Sequence, residues 1–313
     1  MGSSYADKKL SPTTFTPQVS QDKPFVVHPL EPRRGDLFVI YLHCDDAMLR
    51  RIPATAFNYN FELLRVSDQV MRGIAVVPME EKAGKHNIKI FLPDRDVDVS
   101  LNVLHRDWPI SVLAVSNKFT GEPDLRVRKI LDEDQRAWSK MWWDVPTRPK
   151  HTGPFVRPVR GRRTAVFGTK RTFNGELKTR HEGLDLEGRV GVPIKALAAG
   201  RVVMSSERFV SGGTTTLDHG NGLFTSYFHM SRRPKRVGDW VNAGERIGRV
   251  GSSGRVTGPH LHLAVMVRVE LKSPDGFLRS AGLYADPAPL LDQGLWGDPE
   301  YLEAPAIRRK RRK

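Results

Sequence analysis

The chain has 313 residues, 39% of them hydrophobic and 27% charged, with a net charge of +15 and one cysteine. That length suits two domains, each able to bury a core without staples. The single Cys44 excludes an intrachain disulfide, and no apolar run reaches the roughly 18 residues that would span a bilayer.

The first twenty residues, MGSSYADKKLSPTTFTPQVS, lack the apolar core of an export signal, and residues 1–23 read as a flexible lead. Residues 24–118 read as a small β-sandwich. Its strand-like runs, 37–42, 73–77, 87–92, 97–104 and 110–115, are rich in Val and Ile and separated by turn residues. Val97, Val99, Leu101 and Val103 fall on one face of their run, with Asp98, Ser100 and Asn102 on the other. Residues 119–149 form a connection. Its segment 125–143 predicts a helix, with Val127, Ile130 and Leu131 and then Trp138, Met141 and Trp142 on an apolar stripe. The proline-rich stretch 144–163 reads as extended. A second β-rich domain, 150–292, has strand-like runs at 192–197, 200–204, 213–217, 224–229 and 261–267. A tail, 293–313, ends in six consecutive basic residues, Arg308 to Lys313.

The charge favours polyanions. Without the terminal six residues the chain still carries +9. No aromatic-basic stacking motif or zinc-finger spacing points to nucleic acid. Anionic lipid surfaces and anionic cell-envelope polymers carrying phosphate and carboxylate are the other polyanions the charge admits.

His28, His43, His86, His105 and His151 stand alone in the front half and read as surface or core-edge histidines. Five more, His181, His219, His229, His260 and His262, share the second domain. In a strand, His260-Leu261-His262 would turn both imidazoles to one side. His181-Glu-Gly-Leu-Asp185 can place a histidine and a carboxylate on one face of a strand, a loop or a helix. The helical version is like the His-Glu-x-x-His zinc pattern, with Glu182 as base; Gly183 counts against it. Each motif is weak alone. Together they supply two histidines and one carboxylate, the ligand number of a catalytic zinc site, with one histidine to spare. Zinc in such a site acidifies a water and polarises a carbonyl. A structural zinc site would use several cysteines.

The ordered series from Phe167 to His262 resembles the lysostaphin/LytM-type zinc endopeptidases. The series runs Phe167-Gly168, Phe173-Asn174-Gly175, HEGLD, Gly191-Val192-Pro193 and Ala199-Gly200-Arg201-Val202-Val203. Then come Asp218-His219-Gly220-Asn221-Gly222, Ser226-Tyr227-Phe228-His229, Val237-Gly238-Asp239 and Gly254-Arg255-Val256-Thr257-Gly258-Pro259-His260-Leu261-His262, with Asp286-Pro287 closing the domain. The resemblance implies an antiparallel β-sheet peptidase domain of the duplicated-hybrid-motif kind in a mostly β chain. It implies one zinc ion on His181, Asp185 and His262, and a catalytic pair, His229 and His260, with the choice of base left open. Asn174 and Tyr227 are implied as substrate contacts, and His219 as structural. The implied activity is hydrolysis of peptide cross-links in bacterial peptidoglycan, in the periplasm or outside the cell, with any export signal already removed. The front domain resembles the immunoglobulin-like domain that precedes this peptidase in some envelope proteins, which implies D-alanyl–diaminopimelyl cross-links rather than glycine bridges.

Two other classes remain alternatives: a silent LytM-type regulator of another wall hydrolase, and a polyanion-binding protein. Departures from the family pattern are Leu263-Ala264-Val265 after the last motif and a longer stretch, VRVELKSPDGFLRSAGLYA, before Asp286. The long linker also suggests that the front domain or the linker covers the groove.

Overall fold

The computed structural model describes residue 19 and residues 24–113, 124–143, 155–173 and 176–292. Most of the predicted lead, linker residues 144–154, Asn174, His151 and the basic tail lie outside the described residues.

Eight strands form before the helix: β1 (Phe25–His28), β2 (Leu37–His43), β3 (Arg51–Ala56), β4 (Tyr59–Ser67), β5 (Val70–Val76), β6 (Gly84–Phe91), β7 (Asp96–Val103) and β8 (Ile110–Leu113). The first seven join along one antiparallel path, β1-β2-β5-β4-β3-β6-β7. β7 alternates as its sequence predicts, with Val99, Leu101 and Val103 buried and Asp96, Asp98 and Ser100 exposed. These residues join Phe38, Ile40, Ile52, Leu63, Ile88 and Ile90 in the core.

The helix α1 (Leu125–Trp143) has the predicted span. Asp124 caps it, its carboxylate accepting the Val127 N–H at 2.8 Å. Met141 and Trp142 bury against Met204, Phe224 and Met266, with Trp138 beside them.

The second half contains β9 (Arg163–Ala165), β10 (Lys170–Phe173), β11 (Glu176–Arg180), β12 (Leu184–Glu187), β13 (Pro193–Lys195), β14 (Gly200–Arg208), β15 (Gly212–Gly220) and β16 (Leu223–Phe228). It continues with β17 (Met230–Arg232), β18 (Trp240–Val241), β19 (Arg246–Val250), β20 (His260–Lys272), β21 (Leu278–Ala285) and the short helix α2 (Ala288–Asp292). Its main sheet runs β20-β16-β15-β14-β18, with β12 and β21 on the other edge of β20.

The 13-residue β20 organises the whole molecule. Its first half carries the His-x-His motif, with Leu261 between the histidines and Leu263 after them fully buried. Its second half pairs with β21, and Glu270 and Leu271 pair with Asn60 and Tyr59 of β4. The stretch that looked longer than the family pattern is therefore a hairpin that continues the second-half sheet into the front domain.

Other links reinforce that junction. Strand β8 pairs in parallel with β10 from Lys170↔Ile110 to Phe173↔Leu113. Arg72, 1% exposed, donates to the Asn221 side-chain carbonyl at 2.9 Å, and the Asn221 amide donates to the Arg72 carbonyl at 3.0 Å. Arg106 bridges Asp36 at 2.7 Å and Asp286 at 3.3 Å.

Candidate metal centre

The two weak motifs meet because of strand register. Leu184–Glu187 lies antiparallel to the start of β20, and Asp185 stands directly opposite His262. Opposed residues in such a ladder hold their Cβ atoms about 5 Å apart, so the carboxylate and the imidazole face the same site. His181 precedes the strand in a non-helical segment. The helical zinc-pattern reading of 181–185 is thereby overturned, because the backbone of Asp185 is committed to a sheet ladder.

Two glycines make this packing possible. A Cβ on Gly183 would lie 2.4 Å from His262 Nε2 and 2.5 Å from the Leu263 carbonyl, so only glycine lets the chain pass the ring. Gly168 has φ +77°, and a Cβ there would sit 1.9 Å from the Trp108 ring. Its N–H donates to the His181 carbonyl at 2.8 Å, while the His181 N–H donates to the Thr169 carbonyl at 2.9 Å. The Phe167-Gly168 motif thus fixes the backbone of His181 against the front domain.

Three ligand-type atoms converge. His181 Nε2 lies 2.9 Å from Asp185 Oδ1 and 2.9 Å from His262 Nδ1, and His262 Nδ1 lies 2.8 Å from Asp185 Oδ1. His181 Nδ1 lies 2.9 Å from the Val166 carbonyl. That carbonyl can only accept, so the ring proton sits on Nδ1 and the Nε2 lone pair faces the site. Burial alone would raise the Asp185 carboxyl, but its hydrogen bonds with His181 and His262 and their charge hold it well below the usual carboxylate range. Burial pulls His262 down to about 4, against the opposing pull of Asp185. Two imidazole nitrogens and one carboxylate oxygen, with no thiolate, are a donor set that fits zinc in a three-ligand catalytic site.

Two more histidines flank the set. His229 ends β16 in a left-handed conformation, φ +62°, which is uncommon for a non-glycine residue. Its N–H donates to the Ser211 carbonyl and its Nδ1 to the Ser253 carbonyl, each at 2.9 Å. His260 Nδ1 donates to the Gly258 carbonyl at 2.8 Å, and its Nε2 lies 3.6 Å from Asp185 Oδ1. The two rings are 4.9 Å apart. Burial first, then the nearby His262 and His260, lower His229 to about 3, so it is neutral near pH 7.

All these groups except His181 line one cleft of about 960 Å³. Pro109, Ile110 and Ser111 of the front domain line it on one side and the loop 254–259 on another. Among the described residues, the front domain supplies a wall to this cleft and leaves it open; linker residues 144–154 are not among them. Sequence reasoning suggested that the front domain or the linker covers the groove but named no residue of this wall. The exposed apolar residues of β8, Ile110 and Val112, are the signal that could have found it.

Tyr227 is a correction. It was expected to touch substrate, but it is fully buried. Its hydroxyl accepts the Leu197 N–H at 2.7 Å and meets the Thr225 hydroxyl at 3.1 Å, which ties the sheet to the neighbouring loop. The even-numbered positions of β16 and the odd ones are both covered here, so no face of Tyr227 reaches the cleft. His219 is also fully buried, held between the Ala199 carbonyl and the Thr225 hydroxyl at 2.8 Å each.

Residues 179–274 match Peptidase family M23. This chain carries an M23 peptidase domain. The match spans His181, Asp185, His229, His260 and His262 together. The chain is 40% identical over 156 residues to the peptidoglycan DD-endopeptidase ShyC of Vibrio cholerae, covering 50% of this chain and 34% of that protein. It is 38% identical over 108 residues to lysostaphin of Staphylococcus simulans, covering 33% of this chain and 22% of that one. The chain thus spans well under half the length of these curated relatives. A solved structure described as a peptidase M23 from Pseudomonas aeruginosa covers 84% of this chain and 95% of its own, with a TM-score of 0.57 at 21% identity. The likeness of fold therefore extends beyond the M23 domain into the front domain.

Proposed function

We propose that this chain is a zinc-dependent endopeptidase that hydrolyses peptide cross-links of bacterial peptidoglycan, with D-alanyl to diaminopimelate bonds as its substrate. The observation that carries the reading is the convergence of His181, Asp185 and His262 beside His229 and His260 in one open cleft. A filled ligand set supports an enzyme over a silent regulator. The DD-endopeptidase description of the 40%-identical relative supports the choice of bond.

His181, Asp185 and His262 would hold one zinc ion. Bound there, zinc would acidify a water molecule and polarise the scissile carbonyl. The protein's own groups do the rest. The Val166 carbonyl keeps His181 in the ligating tautomer. His229 and His260 each spend Nδ1–H on a backbone carbonyl, which leaves Nε2 to exchange a proton. A neutral imidazole can take the proton of the attacking water and return it to the leaving amine, while its protonated partner donates to the developing oxyanion. Burial disfavours the charged form of His229. Such a substrate lies outside the cytoplasmic membrane, so the site of action is the periplasm or the cell exterior. No helix of the described residues is long and apolar enough to cross a membrane.

Purified peptidoglycans of defined cross-link, digested with and without a chelator and resolved by mass, test the reading. Release of monomeric stem peptides from D-alanyl–diaminopimelyl dimers, abolished by the chelator and restored by zinc, is the expected result. Intact dimers after digestion by the zinc-loaded protein would refute it.

A further inference from the structure

Three arginines line the cleft: Arg163, Arg171 and Arg255. Two are already committed. Arg163 is ion-paired with Asp292, and Arg171 reaches Asp185 Oδ2 at 3.3 Å. The carboxylates lining the cleft are committed as well. Asp185 belongs to the metal set, and Glu187 is bridged at 2.8 Å by Arg162. Arg255 differs: among the described residues, no carboxylate pairs with it. Its backbone is nevertheless held, the Arg255 N–H donating to the Val210 carbonyl at 2.8 Å. The same loop leads to His260 at the start of β20. Arg255 is an exposed residue, and partial desolvation at the cleft, then the charge of Arg171, pull its guanidinium below its ordinary range. An anion entering the cleft would offset both effects.

We propose that Arg255 is a specificity-determining residue that anchors a carboxylate of the peptide lying in the cleft. A guanidinium presents planar, paired donors that match a carboxylate. The stem peptides of peptidoglycan carry free carboxylates beside their cross-links, and glycine bridges carry none along their length. A carboxylate anchor close to the metal set would therefore favour acidic stem peptides over neutral bridges. The identity of the peptide rests on the endopeptidase reading above; the carboxylate subsite itself rests on the cleft.

The test is binding, measured separately from turnover. A fluorescent stem peptide with free carboxylates, and the same peptide with those carboxylates amidated, are titrated by anisotropy into the full chain and into Arg255→Gln. Each titration is run zinc-loaded and again after chelation. The expected result is about tenfold tighter binding of the acid form by the wild type, with and without zinc. Arg255→Gln should bind both forms as weakly as the wild type binds the amide, with its zinc content unchanged. A preference that survives in Arg255→Gln, one that needs zinc, or none in the wild type would overturn the proposal. If the acid form binds through Arg255 but no cross-linked peptide is cut, the endopeptidase reading fails and the carboxylate subsite stands.

Discussion

At the scale of single residues, five histidines of the M23 domain divide by what each ring nitrogen can still do. His181 and His262 turn nitrogens toward Asp185, while His229 and His260 keep theirs for the cleft. Loss of a ligand should therefore differ from loss of a proton carrier. His181→Ala and Asp185→Ala should purify with little zinc by elemental analysis. His229→Ala and His260→Ala should keep about one zinc and lose activity on cross-linked dimers by at least about 100-fold. Full zinc in the first pair, or wild-type turnover in the second, would reject these roles. His219 has spent both nitrogens inside the sheet, and burial lowers it to about 4. The unfolded chain, with a histidine pKa near 6.5, takes up that proton first as pH falls. His219 therefore costs stability progressively between about pH 6.5 and 4, up to roughly 3 kcal/mol. With chelator present throughout, so that metal loss plays no part, His219→Gln should show a flatter dependence of Tm on pH over that window.

Elements explain why particular small residues recur in the motifs. Gly168 combines a positive φ with van der Waals contact to Trp108, which itself packs against Phe167 with ring centroids 5.9 Å apart. An alanine there would strain the backbone and push the indole, at a cost of about 2–4 kcal/mol. Because Gly168 and Thr169 hold the backbone of His181, Gly168→Ala should weaken zinc retention as well as lower Tm; dialysis against a graded chelator would measure the first and calorimetry the second. An unchanged zinc affinity would separate the front wall from the metal set. The strands themselves were unequally legible. The Val- and Ile-rich runs of β2, β6 and β7 matched their predicted spans closely, and α1 matched at both ends. β3, β4 and β21 went unread, since Pro53 interrupts one, charged residues break the pattern of the second, and the last, LRSAGLYA, is short of apolar residues. They are strands because of their neighbours: β3 lies between β4 and β6, and β21 lies along the whole second half of β20.

On the scale of the whole molecule, the front domain is built into the M23 domain. The β4–β20 pairing, the buried Arg72–Asn221 pair and the Asp36–Arg106–Asp286 bridge all cross the junction. Urea unfolding followed by a probe in each half should give coincident transitions. Arg72→Ala would leave buried polar groups of Asn221 and Tyr41 unsatisfied, at a cost of about 3–5 kcal/mol. Separate transitions in the wild type would show that the junction couples the halves only weakly.

Sequence by itself determined the mostly β class, the connecting helix and the residue types of the candidate metal set, because hydrophobic periodicity and ligand chemistry are local properties. Only tertiary structure decided that Asp185 faces His262, since that depends on the register between strands 77 residues apart in the chain. It also decided that Tyr227 belongs to the core, and that the front domain walls the cleft. Burial and inter-strand neighbours are set by the whole sheet, and no residue carries them alone.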